Sequence, residues 1–138
     1  MPELIETLGG DETWVISRGV KRGETWEFSL KWVDTEVDGV RTYVDLSAYT
    51  ARLSVRPKDK RETVAVTFTL SSGSGITLAD SNETLMFRAV PALTELLLAD
   101  VKYKGDIRLS LNSNPTIDVR FPIRRLEFKA QESQTDAA

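Results

Sequence analysis

The stretch Glu24-Thr25-Trp26-Glu27-Phe28-Ser29-Leu30-Lys31-Trp32 decides the fold. Trp26, Phe28, Leu30 and Trp32 hold its even positions, and Thr25, Glu27, Ser29 and Lys31 fall between them. Strict alternation predicts a β-strand with one buried and one wet face, because successive strand side chains point to opposite sides. Two of the chain's three tryptophans sit on the apolar side, so the centre of the core is expected here.

The same period recurs outward from this strand. Asp38-Gly39 separates two apolar runs and predicts a hairpin between residues 26–33 and 40–46. Next, Tyr49, Ala51, Leu53 and Val55 alternate with Thr50, Arg52, Ser54 and Arg56 until Pro57 ends the run. Val64, Val66, Phe68 and Leu70 form another inward face, as do Leu85, Phe87 and Ala89. So do Tyr103, Ile107, Leu109 and Leu111, followed by Ile117, Val119, Phe121 and Ile123. At Arg124-Arg125 the apolar parity shifts to Leu126 and Phe128, which is the mark of a β-bulge. Pro91 opens a helical stretch of about two turns, with Leu93, Leu96 and Leu97 on one face. About eight short strands and one short connecting helix predict an all-β fold, an immunoglobulin-like antiparallel β-sandwich, with a small barrel as the alternative. Residues 1–17 read as an N-terminal arm or first strand, 18–129 as the sandwich, and 130–138 as a flexible polar tail.

Composition narrows the chemistry. Eighteen Lys+Arg against 21 Asp+Glu leave a net charge of -3, which argues against nucleic acid as a partner. The chain has no cysteine and no histidine, which removes disulfides, thiol nucleophiles, histidine-based triads and most zinc sites. No apolar run reaches the ~20 residues that span a bilayer, and the acidic N-terminus lacks the basic start of a signal peptide. Membrane association is therefore not expected, and assembly in a cytoplasm is. Ser71-Ser72-Gly73-Ser74-Gly75 has the composition of a phosphate cradle, but it leads into a strand and no lysine follows. Asp34, Glu36, Asp38 and Asp45 are an acidic cluster without the spacing of a calcium loop. No catalytic residue, cofactor or metal is assigned, and a carboxylate-only hydrolase has no paired carboxylates to support it.

Candidate partner contacts lie toward the two ends. Glu3, Glu6 and Asp11 make an acidic start, with Trp14 just beyond. Residues 101–129 carry seven bases against three acids. On one sheet face, Lys104, Arg108, Arg120 and Arg124 would form a basic stripe with Arg125 beside it, able to meet the acidic arm of a neighbouring copy. Ordinary outward strand positions are the simpler reading of these bases and take precedence on sequence alone.

Two segments carry a resemblance. They are Arg22-Gly23-Glu24-Thr25-Trp26-Glu27-Phe28 and Val44-Asp45-Leu46-Ser47-Ala48-Tyr49-Thr50-Ala51-Arg52-Leu53-Ser54-Val55-Arg56. Gly75-Ile76-Thr77-Leu78, Leu93-Thr94-Glu95-Leu96-Leu97 and residues 103–111 follow in the expected order. Together they resemble the immunoglobulin-like modules of tailed-bacteriophage structural proteins, similar to the N-terminal domain of baseplate upper proteins. Glu24 stands where that family usually has aspartate, and Ala48 where it usually has glycine. The resemblance implies a non-enzymatic virion protein, assembled in a host cytoplasm. It would be an adaptor that attaches a tail, fibre or baseplate component through its sandwich surface and terminal arms. Its implied partners are other virion proteins and further copies of itself in a symmetric assembly. The alternatives are a carbohydrate- or receptor-binding module of a tail fibre, using Trp14 and Tyr43, or a capsid decoration protein.

Overall fold

The structure, a computed structural model, describes residues 3–7, 12–58, 66–119 and 123–132. The strands are β1 (Glu3–Thr7), β2 (Glu12–Lys21), β3 (Trp26–Val37), β4 (Val40–Tyr43), β5 (Tyr49–Pro57), β6 (Phe68–Ser72), β7 (Gly75–Ala79) and β8 (Thr84–Ala89). After α1 (Pro91–Thr94) come β9 (Lys102–Leu111), β10 (Asn114–Val119) and β11 (Ile123–Gln131). Nine strands follow one hydrogen-bonded path, β1-β3-β8-β7-β6-β5-β9-β11-β2, with β4 added on β3 and β10 on β9. The path curls into a half-barrel.

The all-β expectation holds, but the purely antiparallel one does not. β1 runs parallel to β3, β2 parallel to β11, and β6 meets β7 in parallel through two register pairs. The N-terminal segment causes most of this. β1 and β2 are neighbours in sequence yet lie at opposite ends of the path. Each adds to a strand whose direction is set elsewhere. Alternation fixes which face a residue takes, and says nothing of the direction of its partner.

The core lies inside the curl. On β3, Phe28 and Leu30 are fully buried, while Trp26 and Trp32 are half-buried against the same cluster. Phe28 stacks on Phe87 of β8 with ring centroids 4.5 Å apart. Trp26 lies 5.0 Å from Phe28 and 4.9 Å from Phe128 of β11, so it joins strands far apart on the path. Leu53, Val55, Leu70, Ile76, Leu109 and Leu126 complete the interior from the strands between.

Local signals agree with the structure. Asp38 and Gly39 both have positive φ, 52° and 79°, as a two-residue type I′ hairpin turn needs. The parity break in β11 is a register shift between Ile123 and Arg125 against β2. A second irregularity there involves Gly19, whose φ is +74° and whose Cβ, if present, would lie 2.8 Å from the Lys129 carbonyl oxygen.

Two expectations need correction. The helix is a single turn. Beyond Thr94 the chain tightens, with Leu96 N–H bonded to Leu93 O and Leu97 N–H to Thr94 O. Leu97 is therefore buried while Leu96 is 53% exposed, instead of the two sharing a face. The strand at the C-terminal end also runs on past residue 129. Ala130 is buried, donates to Val101 O at 2.9 Å and accepts from Asp100 N–H at 2.8 Å. The rest of the expected tail, 133–138, lies outside the described residues.

Candidate interaction surface

The sequence-derived contacts fall into separate groups. Glu3 and Glu6 sit on β1, in register with Phe28 and Lys31 of β3. Trp14 sits on β2, in register with Leu126. Lys104 and Arg108 are on β9, and Arg124 and Arg125 on β11. Asp11 and Arg120 lie outside the described residues. Lys104, Arg108 and Arg125 come together, whereas Glu3 and Glu6 lie at the far end of the path from them.

The basic group is larger than residues 101–129 suggest, because β9 pairs with β5 as well as β11. Three cross-strand pairs carry like charge. Arg52 lies opposite Arg108, Arg56 opposite Lys104, and Lys129 opposite Lys102. Like charges directly opposite each other destabilise a sheet. Three acids relieve part of this, one of them Asp100, which takes Lys129 at 3.8 Å. Asp106 takes Arg56 at 3.6 Å and Arg125 at 3.7 Å, and Glu127 takes Lys58 at 2.9 Å. Arg52 and Arg108 are exposed, with no ion pair among the described residues. The Arg56 Nε is buried without a hydrogen-bond partner among the described residues. Lys104 is only 8% exposed although its parity points it outward, since Arg56 and Glu127 flank it in register. Sequence reasoning misses Arg52 and Arg56 as members of this face. Both are readable as outward residues of β5. What no local pattern supplies is the β5–β9 pairing, which is non-local.

A second feature projects from the sheet. Beyond Val33, β3 continues with β4 as a two-stranded ribbon, and every residue from Asp34 to Thr42 is exposed. Among the described residues β4 is bonded to β3 alone. Glu36 pairs with Arg41 at 3.5 Å, and the Thr35 and Thr42 hydroxyls bond across the ribbon. At its tip Val37 and Val40 are 66% and 68% exposed.

Asp45, the fourth member of the acidic cluster, has a local task. Its Oδ1 accepts the Ser47 N–H at 2.9 Å, and this bond holds its carboxyl below the ordinary value of 3.8. A lowered folded-state pKa contributes stability that is present above the unfolded value and is lost as pH falls through the folded one. The Asp45 carboxyl carbon is expected to titrate below 3.8 by NMR, and Ser47→Pro, which removes the N–H, returns it toward 3.8. Among the described residues no group of three or more acids could hold a metal ion.

An open depression of about 390 Å³ lies over the outer side of β3, β7 and β8, lined by Glu27, Ser29, Thr77, Met86, Arg88 and Val90 among others. Glu27 and Arg88, register partners on β3 and β8, form an ion pair at 4.0 Å within its lining. Tyr43, one of the two aromatics considered for glycan stacking, has the Lys31 ammonium 4.5 Å above its ring. Among the described residues no helix is long and apolar enough to cross a membrane.

No family model matches the chain, and no curated protein matches it significantly.

Proposed function

We propose that the chain is a non-enzymatic structural module of a bacteriophage virion, an adaptor that joins a tail, fibre or baseplate component to its neighbours. The observation that carries this reading is the pair of motif segments at 22–28 and 44–56, which resemble phage structural modules. In the folded chain those segments occupy joints. Arg22 N–H bonds to Gln131 O at 2.9 Å, Thr94 Oγ1 donates to Glu24 O at 2.8 Å, and Leu46 is fully buried beside the Asp45 turn. We read the half-barrel as an immunoglobulin-like sandwich whose corner is the short β6–β7 link. The Trp26–Phe128 contact suits two layers facing each other.

In this reading the mechanism is passive. A rigid sheet presents charged and projecting surfaces, and partners bind without any covalent step. The chain belongs to the particle and is assembled in the host cytoplasm. The test is a deletion of its gene in a producing phage. Particles that lack an appendage, restored when the chain is supplied in trans, are expected. Complete, infectious particles without the chain would overturn the reading.

A further inference from the structure

The basic face on β5, β9 and β11 and the ribbon at Asp34–Thr42 have opposite character. By register, the face takes seven bases and two acids from these three strands. The remainder of the chain is left with 11 of the 18 bases and 19 of the 21 acids. The ribbon carries Asp34, Glu36 and Asp38 against Arg41, and its two exposed valines give it an apolar tip. Within one molecule β4 pairs with no strand of the face. We propose that the ribbon of one copy docks on the β5–β9–β11 face of a second copy, in a head-to-tail contact between different surfaces.

Four observations support this contact, and the first of them favours a second copy over another acidic partner. The chain itself supplies both halves of a complementary pair. Arg52 and Arg108 are set directly opposite each other with no ion pair among the described residues, so an incoming carboxylate would relieve a repulsion as well as form a bond. The ribbon is exposed on both strands, a form that is at best marginal in water by itself and gains from being covered. Arginine stems on the face also offer apolar surface to Val37 and Val40. A contact between two different surfaces repeats, closing into a ring or continuing as a filament according to its rotation. The contact is argued from this chain's own surfaces and holds or fails separately from the virion reading.

Charge reversal tests it on the full chain. By sedimentation equilibrium, wild type is expected to gain mass with concentration at about 20 mM salt and to return to 15.4 kDa at about 500 mM, where charges are screened. The ribbon variant Asp34→Lys with Glu36→Lys, and the face variant Arg52→Glu with Arg108→Glu, should each weaken association at least tenfold. Mixed in equal amounts, the two variants should assemble again, since each ribbon then meets a face of opposite sign. The milder pair Asp34→Asn with Glu36→Gln should weaken association as well, which guards against misfolding of the reversed forms. A wild type that stays monomeric at low salt overturns the proposal. So does a mixture that fails to assemble, or a reversed variant that associates as wild type does. Binding of single-stranded DNA by a chain that remains monomeric would assign the face to nucleic acid instead.

Discussion

Phe28→Ala is expected to lower the free energy of unfolding by about 3–5 kcal/mol. The residue is 1% exposed, and its ring is stacked on Phe87 and in contact with Trp26. Truncation loses the transfer energy of the ring and leaves a cavity that a closely packed interior fills only in part. It also removes two aromatic contacts, each worth about 0.5–1.5 kcal/mol beyond buried area. Because Trp26 reaches Phe128, the gap opens where distant strands of the path meet. Domains of this size are stable by about 5–15 kcal/mol, so the substitution takes a large share. The neighbouring Glu27→Ala should stay within about 0.5 kcal/mol, as its side chain is exposed and its ion pair with Arg88 is long. Urea denaturation at matched m-value measures both. A loss below about 1 kcal/mol for Phe28→Ala would mean that the core is centred elsewhere.

The contrast between these adjacent residues is legible in the sequence alone, and it shows which kind of information the chain carries locally. Period-two patterning names the inward face of β3, β5, β8 and β9, and Asp38-Gly39 names a turn, because each depends on residues a few positions apart. The parity break at Arg124-Arg125 is equally local. Pairing is different. Arg52 and Arg108 become neighbours through a register that no short window contains. The parallel edges are likewise hidden, since β1 and β2 bond to strands other than each other. Outward parity also fails as a guide to exposure at Ser29 and Lys104, both of which are buried. At Lys104 the parity itself is right, but the long side chains in register on either side come from distant positions in the chain. The basic face is therefore half legible: its β9 and β11 members come from counting bases in a hairpin, and its β5 members need the fold.

The motif segments raise a related question, whether Arg22 acts in folding or in docking. Its geometry favours folding. Nε donates to Leu97 O at 2.9 Å, an Nη donates to Glu95 O at 3.3 Å, and the other Nη lies 3.4 Å from Glu132. The carbonyls it holds belong to the tight turns after α1, where helical bonding has ended and acceptors would otherwise lack a partner. One guanidinium thus ties the β2–β3 corner to the connector and to the end of β11. Hydrogen bonds from a charged donor are worth about 1.5–3 kcal/mol, and Arg22 is half-buried, so Arg22→Ala is expected to cost about 2–3 kcal/mol. Arg22→Lys should recover only part, because an ammonium cannot reproduce the planar fork that serves two carbonyls and a carboxylate together. Glu132→Ala should cost less than about 1 kcal/mol, the range of an exposed pair. Thermal and urea unfolding of the three variants distinguish the roles. If Arg22→Ala keeps full stability and instead abolishes incorporation into particles, then Arg22 is a docking residue, and the segment at 22–28 marks a partner site instead of a fold.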